Sequence, residues 1–137
     1  MSYYQHYKIF IDPGHGGTDP GAVNGSFYEK DFVLDIAKHV RDRLASFGVQ
    51  TRMSRETDVS LTPQQRSQAS NAFGANIFVS VHNNSSTNTS ANGLETWKHD
   101  NSSHYVASLA KFVNDSMVAR LGRTNRFVKS CPSEQIG

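Results

Sequence analysis

The arrangement of this chain follows from one stretch near its start, Lys8-Ile9-Phe10-Ile11-Asp12-Pro13-Gly14-His15-Gly16-Gly17. The apolar, β-branched first half predicts a buried strand. Pro13 ends that strand because proline cannot extend a central strand. The glycines that follow allow a tight turn with unusual φ angles. The stretch therefore predicts an imidazole, that of His15, at the tip of a rigid strand, which is a suitable place for a metal ligand.

Two other interpretations of the glycine-rich turn are open at this point. The glycines fit neither of the phosphate-binding patterns, G-x-G-x-x-G and G-x-x-x-x-G-K-[ST], which argues against a phosphate site. The turn is also compatible with an ordinary strand end that carries an incidental histidine. The rest of the chain has to decide between this interpretation and a metal site.

Strands and helices alternate after the first turn. Residues 18–28 are predicted as a loop because they are rich in Gly, Pro and Asn. Apolar spacing and capping residues predict helices over residues 29–47, 62–74 and 103–121, and strands over residues 49–53, 76–82 and 93–98. The strand over 76–82 is almost continuously apolar, as is typical of parallel sheets covered by helices. We therefore predict a single α/β domain over residues 1–137, with a largely parallel, twisted sheet and helices on both faces.

Composition excludes several classes of partner. Fourteen basic and 12 acidic residues give a formal charge of +2, too small to predict nucleic-acid binding. No apolar run approaches the length of a membrane span, and no signal peptide is recognisable, so we expect synthesis in the cytoplasm without membrane insertion. Cys131 is the only cysteine of the sequence, which excludes an internal disulfide.

A second histidine and a glutamate complete a candidate metal site. His82 ends the apolar strand, and ligands bind at the carboxyl ends of strands in open α/β sheets. Glu29 begins the first predicted helix, where a carboxylate is also favoured simply by the positive helix end. Two histidines and one glutamate, with a fourth position open, form a catalytic Zn²⁺ set. Such an ion lowers the pKa of bound water to about 7 and polarises a carbonyl, which suits amide hydrolysis.

Five pieces of the sequence occur together in a recognisable order and spacing. They are residues 11–17, Glu29, Arg66 with Asn71, residues 80–84 and residues 93–96. In this they resemble the zinc-dependent N-acetylmuramoyl-L-alanine amidases, enzymes that cleave stem peptides from the glycan strands of bacterial peptidoglycan. The resemblance implies that His15, Glu29 and His82 bind zinc. It also implies that Asp12 and Arg66 support these ligands from behind, since ligating histidines need an oriented outer shell.

Two further residues are candidates for the substrate groove. Asn83 begins a polar loop over residues 83–92, which either borders the groove or is an ordinary surface loop. Glu95 lies on a predicted strand beside Trp97, and it either faces the cleft or occupies an ordinary strand position.

The sequence departs from the family pattern near its end. Family members carry a general-base glutamate on a strand that follows an Arg-Gly-Val-Lys-like segment. Here the segment is residues 126–129, with Phe127 where glycine is usual. The expected last strand and its glutamate would lie beyond Gly137, so no catalytic residue is assigned within the chain. Glu134 is the alternative to that glutamate, or a solvated charge in the tail.

The resemblance leads to one main functional expectation and two alternatives. We expect zinc-dependent hydrolysis of the amide between N-acetylmuramic acid and L-alanine, as in an endolysin or autolysin that acts on the cell wall after its release by lysis. Without the base, turnover is expected to fall, and the uncovered sheet edge is expected to favour self-association. A non-catalytic peptidoglycan-binding module that retains the metal is one alternative. A structural α/β domain without metal is the other.

Overall fold

The computed structural model describes residues 4–86, 88 and 90–132. The chain divides into two compact units, residues 1–85 and residues 86–137, and each has strands of its own. Within the described residues, no helix combines the length and the apolar character needed to cross a membrane.

The first unit is built around a three-stranded parallel sheet. Its elements are β1 (Lys8–Pro13), β2 (Val23–Asn24), β3 (Phe27–Tyr28), α1 (Glu29–Ser46), β4 (Gln50–Met53), α2 (Pro63–Phe73) and β5 (Ile77–Val81). The sheet order is β4-β1-β5, with β1 parallel to both neighbours. The stretch that opens the sequence thus forms the central strand, as its apolar run predicts.

Helices cover both faces of this sheet. Successive residues of a strand point to opposite faces. Ile11 packs with Ala37 of α1 and with Met53 on one face. The ring of Phe10 points the other way and lies 6.4 Å from the ring of Phe73 in α2. The predicted α/β class, with parallel strands between two layers of helix, is therefore confirmed.

The loop predicted over residues 18–28 contains a short antiparallel hairpin, so the prediction was wrong there. Val23 pairs with Tyr28, and Asn24 pairs with Phe27. The two residues between the paired strands are Gly25 and Ser26, a glycine-first pair typical of tight hairpins, and Gly25 has the positive φ (+60°) that such a turn uses. The hairpin leads directly into the first residue of α1.

The second unit contains β6 (Leu94–His99), α3 (His104–Leu121) and β7 (Asn125–Cys131), with β6 and β7 parallel. Ser103 caps α3 through its side chain, and Gly122 ends the helix in the left-handed conformation. Strand β6 and helix α3 were predicted from the sequence, whereas no strand was predicted over β7. The assignment of residues 1–137 to one domain stays a prediction.

Strand β7 was missed because it carries a bulge. Leu94 pairs with Asn125 while Thr96 pairs with Val128, so β7 has one extra residue in this interval. The extra residue disrupts the two-residue period by which strands are recognised. Phe127 within the bulge has a φ of +66°, a conformation that glycine adopts without strain.

Candidate metal centre

Three donor atoms converge at one edge of the first unit's sheet. They are Nε2 of His15, Nδ1 of His82 and Oε1 of Glu29, and each pair of them is 3.2 Å apart. His15 follows β1 and His82 follows β5, two parallel strands that are paired up to Pro13 and Val81. Their carboxyl ends therefore meet, and the three predicted ligand residues lie together.

The spacing of these atoms fits a zinc ion. Zinc binds imidazole nitrogen and carboxylate oxygen at about 2.0–2.2 Å in tetrahedral geometry, which places two donors about 3.3–3.5 Å apart. The observed separations of 3.2 Å are close to that value. Two imidazole nitrogens and one carboxylate also form a donor set that zinc accepts in catalytic sites, with the fourth position left for water or substrate. The residues present therefore fit the ion.

Glu29 is the most firmly held of the three. Its side chain is only 4% exposed. Oε1 accepts a hydrogen bond from the backbone N–H of Asn83 at 2.7 Å, and Oε2 accepts one from the N–H of Ala22 at 2.9 Å. Glu29 is also the first residue of α1, where the helix dipole favours a negative charge. The position of Glu29 is therefore compatible with both interpretations, a favourable charge at the start of a helix and a metal ligand. Asn83 acts here through its backbone, and its predicted place in the substrate groove stays a prediction.

A buried ion pair supports the turn that carries His15. Arg66 donates from Nη1 to Oδ1 of Asp12 at 2.7 Å, and from Nη2 to the carbonyl oxygen of His15 at 2.7 Å. The other oxygen of Asp12 accepts a hydrogen bond from the hydroxyl of Ser80 at 2.9 Å. His15 itself has a φ of +58°, unusual for a residue with a side chain. Asp12 and Arg66 therefore contact each other and the turn that carries His15, and their predicted support of a metal ligand stays a prediction.

Two glycines leave the space that the ligands occupy. A Cβ on Gly14 would lie 2.2 Å from Cε1 of His82. A Cβ on Gly21 would lie 2.6 Å from Cδ2 of His15 and 2.8 Å from Cβ of Glu29. Any larger residue at these positions would displace a ligand.

The order of these motifs along the chain is that of a known family. The sequence model of the N-acetylmuramoyl-L-alanine amidases, Amidase_3, matches residues 9–135. The chain belongs to this family.

Individual family members are similar over most of this chain. N-acetylmuramoyl-L-alanine amidase LytC of Bacillus subtilis is 37% identical over 124 residues, which cover 89% of this chain and 25% of LytC. Among solved structures, the amidase AmiC2 of Nostoc punctiforme is 36% identical with a TM-score of 0.84, covering 91% of this chain and 69% of that one. The N-acetylmuramoyl-L-alanine amidase from Clostridium difficile 630 is 32% identical with a TM-score of 0.88, covering 95% and 72%. The chain thus spans about a quarter of the length of LytC.

Arg55 of this amidase-family chain contacts the turn that carries His15 and was not predicted from the sequence. This side chain is buried and donates hydrogen bonds to four carbonyl oxygens, those of Pro13 at 3.1 Å, Gly14 at 2.7 Å, Lys30 at 2.8 Å and Thr57 at 3.2 Å. Burial lowers the pKa of Arg55 from its usual value. The available signal was its place just after β4, at the same sheet edge as both histidines.

Asp19 was missed as well. Its Oδ2 lies 2.8 Å from Nδ1 of His15, and its Oδ1 accepts the backbone N–H of Gly21 at 3.0 Å. These two hydrogen bonds, that with His15 first, hold the pKa of Asp19 below its usual range. The signal in the sequence was a carboxylate four residues after the histidine, within a Pro/Gly-rich turn.

Glu95 belongs to the second unit and is engaged there. Its Oε2 lies 2.9 Å from Nε of Arg126 and 2.5 Å from Nζ of Lys129, and its Oε1 accepts the indole N–H of Trp97 at 2.9 Å. These contacts tie β6 to β7, and the predicted role in a substrate groove stays a prediction. Glu134 lies outside the described residues.

Proposed function

We propose that this chain binds one zinc ion through His15, Glu29 and His82, and that it hydrolyses the amide between N-acetylmuramic acid and L-alanine in bacterial peptidoglycan. The observation that carries the proposal is the set of three donor atoms at mutual distances of 3.2 Å. Membership of the amidase family supports the substrate, since the similar proteins are named as amidases of this bond.

The chain's own residues fix the ligands and leave one side open. When bound, zinc supplies an activated water and polarises the substrate carbonyl. Glu29 accepts hydrogen bonds from two backbone N–H groups, so its orientation is fixed before any ligand arrives. The side chain of His82 is 39% exposed, whereas that of Glu29 is buried, so substrate approaches from the His82 side. We assign the proton-transfer role to none of the described residues.

A second candidate is a non-catalytic peptidoglycan-binding module that retains zinc. It is favoured by the fact that the carboxylates of Glu29 and Asp19, which lie at the proposed zinc site, both already have partners. Glu29 is committed as a ligand, and Asp19 is engaged by His15 and by the N–H of Gly21. A carboxylate with these partners is poorly placed to accept a proton from water.

Zinc content and bond cleavage separate these candidates. We expect about one zinc per chain in the wild type and none in His82→Ala. His39→Ala is the matched control, because His39 is an exposed histidine on α1, and it should retain the metal. Incubation of the wild type and of His39→Ala with purified peptidoglycan should release new amino termini.

Each outcome selects one function. Zinc binding and retention on peptidoglycan without new amino termini would select the binding module. At a free zinc concentration of 100 times Kd, the ion should add about 2.7 kcal/mol to the free energy of unfolding. A melting temperature that a chelator leaves unchanged, with no zinc bound, would overturn both candidates in favour of a structural domain.

A further inference from the structure

We propose that Asp19 is a positioning residue that fixes the tautomer and the ring orientation of His15. In this role it turns Nε2 of His15 toward the metal. The inference rests on the proposed function in that the ion is the one held by His15, Glu29 and His82.

The first step is the hydrogen bond between the two side chains. Oδ2 of Asp19 lies 2.8 Å from Nδ1 of His15. An ionised carboxylate only accepts hydrogen bonds, so Nδ1 must carry the proton. In a neutral imidazole the other nitrogen then has a free lone pair. This nitrogen, Nε2, is the one that lies 3.2 Å from Oε1 of Glu29 and 3.2 Å from Nδ1 of His82.

The second step is that Asp19 is itself held in place. Its Oδ1 accepts the N–H of Gly21 at 3.0 Å. Its backbone exchanges two hydrogen bonds with Gly16, at 2.9 and 3.1 Å. The carboxylate therefore has a defined orientation although its side chain is 62% exposed. Gly21 also lies close to Cδ2 of His15. The short turn over Asp19 and Gly21 therefore limits the position of the imidazole ring and supplies the hydrogen-bond partner of its Nδ1.

The alternative is that Asp19 only shapes the turn, and the variant Asp19→Asn separates the two roles. Asparagine serves as well as aspartate in turns of this kind. In the variant, the side-chain carbonyl oxygen of Asn would accept the hydrogen bond from the N–H of Gly21. The NH₂ group of the same side chain would then face Nδ1 of His15 and donate a hydrogen bond to it. The imidazole proton would then move to Nε2, the nitrogen required by the metal. The variant is therefore expected to keep the turn, while the proton on Nε2 of His15 prevents this nitrogen from binding zinc.

The decisive measurement is zinc affinity by competition with a chromophoric chelator. We expect Asp19→Asn to bind zinc about 10–100-fold more weakly than the wild type, the usual cost of losing the partner of a ligating histidine. Asp35→Asn is the matched control, since Asp35 is an exposed carboxylate four residues before His39, with Oδ1 3.8 Å from its Nδ1. This control should bind zinc like the wild type. Equal affinity of Asp19→Asn and the wild type would overturn the proposal.

A second readout does not depend on metal or activity. ¹⁵N NMR of the metal-free chain, recorded at a pH at which the spectrum shows the imidazole of His15 to be neutral, reports which nitrogen carries the proton. We expect Nδ1–H for His15 in the wild type and Nε2–H in Asp19→Asn. An Nε2–H tautomer in the wild type would overturn the proposal even if the variant fails to fold. If the wild type binds no zinc, the proposed function fails, while the tautomer still tests the role of Asp19.

Discussion

Replacement of Gly21 by alanine should damage the metal centre far more than the fold. Gly21 has a φ of +66°, and a side chain in this left-handed region costs about 1–2 kcal/mol. Gly25 has a φ of +60° with nothing within 4 Å of a Cβ. Gly25→Ala therefore introduces the same backbone strain without a collision, and it is the matched control.

The collision at Gly21 determines the size of the effect on metal binding. The new Cβ would lie 2.6 Å from Cδ2 of His15, whereas ordinary contact begins at 3.4 Å. The imidazole, or the backbone that carries it, must therefore move by roughly 0.8 Å. Metal–ligand distances tolerate only about 0.2 Å. We expect at least a tenfold loss of zinc affinity, which corresponds to about 1.4 kcal/mol or more.

Two measurements on the same three proteins test this reasoning. Denaturant unfolding of the metal-free wild type, Gly21→Ala and Gly25→Ala gives the cost of strain, and chelator competition gives the zinc affinity. The expected result is a loss of stability from left-handed strain in both variants, with a further loss in Gly21→Ala from the clash with Cβ of Glu29, and a loss of zinc affinity in Gly21→Ala alone. Equal zinc affinity in Gly21→Ala and Gly25→Ala would refute the contact between Gly21 and the ligand residues.

Three further predictions concern stability. Arg66→Ala leaves the buried carboxylate of Asp12 without its cation and should lower the free energy of unfolding by about 3–5 kcal/mol in denaturant titrations; a loss below 1 kcal/mol would contradict the buried pair. Phe127→Gly should raise the free energy of unfolding by up to about 1 kcal/mol, because the relief of left-handed strain exceeds the entropy cost of glycine. A melting temperature below that of the wild type would contradict strain in the bulge. The hydrogen bond from Lys30 lowers the pKa of Asp58 below 3.8, so this carboxylate stabilises the fold above pH 3.8 and its contribution is lost as the pH falls through the lowered value. The difference in melting temperature between the wild type and Asp58→Asn should therefore shrink in acid, and a difference independent of pH would exclude this ion pair as its source.

The meeting of the three proposed ligand residues was predictable because each lies where one regular element ends or begins. His15 and His82 follow strands with clear apolar runs, and Glu29 begins a helix with clear apolar spacing. Parallel strands bring their carboxyl ends to one edge, so the convergence of the two histidines follows from the fold class.

The residues that contact the proposed ligands and their turns were harder to predict. Arg55 and Arg66 both donate to backbone carbonyl oxygens in the turn after β1, and such acceptors leave no trace in the pattern of side chains. Asp19 acts through a loop conformation, which has no period to recognise. Strand β7 was hidden by its bulge, where Phe127 takes a conformation that propensity alone disfavours.

The separation of His15 and His82 along the chain gives the proposed ion a mechanical role. The two nitrogens that face each other come from residues 67 positions apart. An ion that binds both nitrogens closes a loop of that length. A disulfide that closes a loop of comparable length lowers the entropy of the unfolded chain by the equivalent of about 4 kcal/mol. With one cysteine in its sequence, the chain has no internal disulfide to do the same. The proposed ion would therefore stabilise the pairing of β1 with β5, in addition to any role in catalysis.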